Sequence, residues 1–157
     1  MNKPRNKKHR PRNPNDALMK TQPWRMRSVF QPVIAILDQL ENDGTMDISA
    51  DGQPIFKDVI DGCYYDTCVA LDGISECFEL LSERKNIPID TGPLRRISNK
   101  IRYHMPVFIE DTKACRACLD VLHSHCLHLR ISEAVDLIQT IRVREELERI
   151  QTEKESA

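Results

Sequence analysis

Aromatic side chains are scarce in this sequence, at 5% of 157 residues, and only five positions are glycine. A core without aromatic bulk must be assembled from Leu, Ile, Val, Ala and Cys, which suits packed helices better than a β-sandwich. Long apolar runs are missing too. The longest, 33–37 and 105–109, are far too short to cross a bilayer, so no membrane is expected as a partner. No apolar stretch follows the charged start, which leads to the expectation of a cytoplasmic protein whose six cysteines are mostly free thiols in a reducing compartment. The sequence has no glycine-rich phosphate loop, no nucleophile elbow and no HExxH pair, so neither catalysis nor a cofactor is expected.

What the sequence does have is a lopsided distribution of charge. The net charge is -1, yet residues 1–27 carry nine Lys or Arg against Asp16 alone, a local charge of +8 that leaves -9 on the remainder. Pro4, Pro11, Pro14 and Pro23 interrupt any helix near the start, where Asn and Lys dominate. The expected organisation is a disordered basic arm over 1–27, one helical domain over 28–145 and a charged, frayed tail over 146–157.

The domain reads as a succession of helices. Val29, Phe30, Val33, Ile34, Leu37 and Leu40 have helical spacing, with Ser28 as the cap, Pro32 in the first turn and residues 42–44 as the end. Residues 45–56 alternate instead, and Asp51-Gly52 is a turn signal, so a small β-hairpin or an ordered loop is expected there. The run from Val59, Ile60 and Cys63 to Phe78 and Leu81 recurs every three or four residues and predicts one helix over 57–84. Thr91 and Pro93 open a short helix carrying Leu94, Ile97 and Ile101. Cys115, Leu119, Leu122, Cys126 and Leu129 form a regular ladder over 110–129, and Ser132 with Glu133 starts a last helix. The predicted fold is mainly α, an antiparallel bundle of about five helices.

The basic run Lys7-Lys8-His9-Arg10-Pro11, the helical body, then Leu122-His123-Ser124, Leu127 and a Ser-started final helix resemble a group of small helical accessory proteins encoded by phages and prophages of Gram-negative bacteria. There the arm reads roughly Lys-Lys-x-Arg-Pro and a Leu-His-Asp stretch sits in the penultimate helix. The alternating 45–56 segment and the cysteine richness depart from that pattern. The resemblance implies a bacterial host cytoplasm and an accessory role, and it implies no catalytic residue.

Three constellations are candidates for function. Cys115 and Cys118 precede His123, His125, Cys126 and His128, residue types that zinc prefers. On a continuous helix, however, the Cys115/Cys118 and His125/His128 pairs lie roughly 10–20 Å apart along the axis. Metal bonds are about 2.0–2.3 Å, so the pairs cannot share one ion. No metal is expected, and a small zinc-binding module survives only with a broken helix or ligands from elsewhere. A redox Cys-x-x-Cys pair would want a strand-to-helix junction, which the pattern does not offer.

The second constellation is acidic. On a helix over 57–84, Asp58, Asp61, Asp72, Glu76, Glu79 and Glu83 fall within a stripe about 60° wide. It is either a solvated face or a docking ridge for a basic partner surface. Gly62 and Gly73, near one edge, either mark a close helix approach or are simply tolerated there. The third constellation is the arm, whose Lys7, Lys8, Arg10, Arg12, Arg25 and Arg27 suit any polyanion, with Trp24 as a stacking or anchoring aromatic, unless the arm is only a solubilising or partner-binding tail. The leading expectation is a non-enzymatic phage-type binding protein whose arm contacts nucleic acid or a nucleoprotein assembly. The alternative is an inhibitor that docks its acidic helix on a host protein complex, such as a defence system.

Overall fold

The computed structural model describes residues 16–156. Its five helices are α1 (Pro23–Asp43), α2 (Thr67–Lys85), α3 (Gly92–Arg102), α4 (Ile109–Leu127) and α5 (Ile131–Glu155). Three short strands, β1 (Asp47–Ile48), β2 (Pro54–Lys57) and β3 (Tyr64–Asp66), form an antiparallel sheet with β2 in the middle. Ile55 of β2 stands opposite Asp47 on one side and Asp66 on the other. The helices pack as a bundle in which α2 touches α1, α3 and α5, while α4 packs on α1 and α3. Ile36, Leu37, Leu71, Leu94, Ile97 and Leu122 are wholly buried where these helices meet. The predicted α4 ladder, Cys115 to Leu129, is buried at every rung. Among the described residues no helix is long and apolar enough to cross a membrane.

The helix expected over 57–84 begins ten residues late. Asp66 accepts a hydrogen bond from the Val69 amide at 2.9 Å and caps α2. Upstream, the chain reverses between β2 and β3. The Asp58 carboxylate accepts the Ile60 amide at 2.7 Å, the Asp58 amide donates to the Cys63 carbonyl at 2.8 Å, and Gly62 takes the left-handed φ of 72° that the turn requires. Val59 and Ile60, which completed the apparent helical stripe, sit at this turn 73% and 66% exposed. The 45–56 segment is the β1–β2 hairpin, and β3 adds a third strand to it.

The ends also differ from expectation. α1 starts at Pro23 rather than Ser28, with Pro32 inside it, and the Ser28 hydroxyl donates to the Trp24 carbonyl at 2.9 Å. Gly44, in the left-handed conformation, closes the helix by donating its amide to the Leu40 carbonyl. Residues 16–22, assigned to the arm from the sequence, are lashed to the body because Ala17, Leu18 and Met19 have somewhere to go. Met19 is buried, its amide donates to the Leu129 carbonyl at 2.8 Å, and the Ile131 amide donates to the Ala17 carbonyl at 2.9 Å. Asp16 accepts hydrogen bonds from the Ser132 hydroxyl and amide.

At the other end α5 starts at Ile131, before Ser132, with Glu133 accepting the Arg130 amide at 3.3 Å. It continues through the segment expected to fray. Residues 142–156 are exposed throughout, and Arg149 links Glu146 and Glu153 along the helix.

Candidate functional site

Of the six basic residues singled out, Lys7, Lys8, Arg10 and Arg12 lie outside the described residues. Arg25 and Arg27 sit in the first turns of α1, beside Trp24. The Arg25 guanidinium lies 4.5 Å from the Trp24 ring centroid. It is held there by its Nε, which donates to the Gln22 side-chain oxygen at 2.5 Å. Trp24 is 55% exposed. Arg27 is exposed and makes no ion pair among the described residues, and the first turn of α1 contains no carboxylate. Trp24, Arg25 and Arg27 therefore form one cationic, aromatic patch immediately after the lashed segment.

The acidic stripe comes apart. Asp58 and Asp61 belong to the β2–β3 turn, where Asp61 accepts the Tyr65 hydroxyl, and that carboxylate pushes the tyrosine up to about 12. On α2, the neighbouring α3 takes up two of the remaining four. Asp72 accepts the Ser98 hydroxyl at 2.7 Å and pairs with Arg102. Glu79 accepts the Thr91 hydroxyl at 2.8 Å and both Nε and Nη2 of Arg95, at 3.0 and 2.8 Å. The Arg95 hydrogen bonds hold the Glu79 carboxyl below its ordinary value. Thr91 thus serves this network, and its side chain does not cap α3.

Glu76 and Glu83 share that face but make no ion pair among the described residues. Burial pushes Glu76 up, and Glu145 on α5 adds to the effect. Glu76, Glu83, Glu145 and Glu148 gather along the α2–α5 seam, with Arg144 among them. An acidic surface exists, but it spans two helices, and of the predicted six only Glu76, Glu79 and Glu83 border it, Glu79 while bound to Arg95.

Cys115, Cys118 and Cys126 are core residues. Burial drives Cys115 up to about 12 and Cys126 to about 11. The Cys118 thiol donates to the Asp90 carbonyl at 3.4 Å. Among the described residues no three His, Cys, Asp or Glu side chains converge as a metal cage.

Sequence reasoning missed an apolar groove of about 360 Å³ between α1, α2 and α5. Val29 and Pro32 form one wall, Ile138 and Ile141 the other, and Gly73, Ile74 and Cys77 line α2 between them. A Cβ added at Gly73 would meet nothing within 4 Å, so this glycine opens the groove rather than admitting a neighbouring helix. Gly62 answers to backbone conformation and not to a helix approach. The signal for the groove was present as a surplus of apolar positions on α2 and α5 beyond what one buried face needs. Compared with protein-family models, curated proteins and solved structures, the chain finds no match in any of the three.

Proposed function

We propose that this chain is a non-enzymatic binding protein whose basic N-terminal segment contacts nucleic acid or a nucleoprotein assembly, in the manner of a phage accessory protein acting in a bacterial cytoplasm. The observation that carries this reading is the charge partition, +8 over residues 1–27 against -9 elsewhere. Lys and Arg at that density displace condensed counterions from a polyanion, which drives association without reading sequence. The lashing of residues 16–22 supports the reading by giving the segment a defined point of departure, next to Trp24, Arg25 and Arg27.

The test is a salt titration with a fluorescent oligonucleotide and the full chain. Affinity should fall as salt rises. Replacing Lys7, Lys8, Arg10 and Arg12 together by Ala should flatten the log–log slope by about 3 to 4. An unchanged slope in that variant would remove the segment from the contact.

A second reading is favoured by the carboxylates on the α2–α5 seam. Glu76, Glu83, Glu145 and Glu148 adjoin an apolar groove, and acid beside an apolar trough suits a basic amphipathic helix of a host protein. Under this inhibitor reading, reversing those four residues to Lys abolishes capture of the host complex while oligonucleotide binding persists.

A further inference from the structure

Trp24 is the one tryptophan of the chain, and more than half of it is exposed. Tryptophan is the largest apolar side chain, and leaving it in water forgoes the burial that folding usually obtains from it. Its surroundings are organised. Arg25 is fixed above the ring by Gln22, and Gln22 follows directly on the lashed turn Met19–Thr21. The indole is thus held by a short chain of contacts that ends in the buried Met19.

We propose that Trp24 and Arg25 are a stacking platform for one unpaired base, so that the chain's preferred polyanion is single-stranded nucleic acid rather than duplex. This inference rests on the nucleic-acid reading above and narrows it. Bases in a duplex already stack on each other, and an aromatic side chain reaches their faces only by wedging between them, which unstacks a step and kinks the helix. A wedge must project its whole ring. Trp24 is 55% exposed, and the rest of the side chain is covered by its own protein. The face of an unpaired base is open and needs no such insertion. Arg25 covers one face of the ring, so the base stacks on the opposite face, and the guanidinium caps the stack within reach of the adjoining phosphate. Exposed Arg27 and Lys20 lie three and four positions from Trp24 and can follow the backbone to either side.

The single tryptophan makes the contact directly readable. Intrinsic fluorescence of the full chain should be quenched by a single-stranded oligonucleotide and much less by a duplex of equal phosphate number. DNA and RNA oligonucleotides, run as separate arms, distinguish the two sources of an unpaired base. Trp24→Ala should weaken single-strand binding roughly 5- to 150-fold, the range expected for one stacked base, and weaken duplex binding much less. Trp24→Phe should recover most of the loss. The melting temperature of each variant confirms that it is folded, as expected at an exposed position.

Salt-dependent binding with unquenched fluorescence, or with Trp24→Ala matching the parent, overturns the platform and leaves the basic segment as the contact. Equal quenching by duplex overturns the single-strand preference. Absence of binding to any oligonucleotide at low salt overturns both this inference and the reading beneath it.

Discussion

Replacing Met19 by Ala should unseat the root of the basic segment. Met19 is 3% exposed, so the substitution deletes three heavy atoms from a packed environment. Met-to-Ala changes in cores cost about 2–5 kcal/mol, and the lower half of that range applies at the edge of a domain, where neighbours can close on the space. The backbone bonds to Leu129 and from Ile131 do not depend on the side chain and should persist. At about 3 °C per kcal/mol for a domain of this size, a loss of about 2–3 kcal/mol lowers the melting temperature by roughly 6–9 °C. Thermal unfolding followed by circular dichroism measures it. Lys20→Ala, one position on and exposed, is the control and should change stability by no more than about 0.5 kcal/mol. If Met19→Ala melts within about 2 °C of the parent, the segment is not held by this side chain and the account of the lashing is wrong.

Two further outcomes follow from the geometry. Arg95 hydrogen-bonds hold the Glu79 carboxyl below its ordinary value. A depressed carboxyl stabilises the fold above its unfolded value, and that contribution is lost as pH falls through the folded value. Arg95→Ala should therefore be destabilised most at neutral pH and converge on the parent under acid, as read from urea midpoints. A gap that stays constant with pH would assign the loss to packing instead. The two glycines should respond with opposite signs: Gly73→Ala, open on its helix, should gain about 1 kcal/mol, whereas Gly62→Ala, at φ 72°, should lose about 1–2 kcal/mol. Chemical denaturation of the pair checks both.

The parts of the fold that could be read from the residues were those set by one helix burying one face. The α4 ladder and the Leu94, Ile97 and Ile101 face of α3 emerge at the expected positions because a 3.6-residue period is decided locally. The start of α2 was misread for a related reason. Val59, Ile60 and Cys63 happen to continue its period, while the competing signals, two Asx side chains, Gly62 and paired tyrosines, act only over a few residues.

The acidic stripe shows a different limit. The angular arithmetic does place Asp72, Glu76, Glu79 and Glu83 together, but their partners Arg95 and Arg102 come from α3, and no period within α2 announces them. The groove's apolar surplus is legible on α2 and α5, but its width depends on how far apart α1 and α5 stand. The lashing of residues 16–22 was hidden by the basic and proline-rich company that Ala17, Leu18 and Met19 keep.

The bridge between Leu18 and Arg130 has a mechanical consequence. Among the described residues, tension arriving from the start of the chain meets Asp16 first. The contacts met first are those of Asp16 with Ser132 and of Ala17 with Ile131. Force applied at the start of the chain is therefore delivered to the opening turn of α5 before it can reach α1. Because α5 packs on α2 along one wall of the groove, the helix that anchors the start of the described chain is also the one that lines the trough.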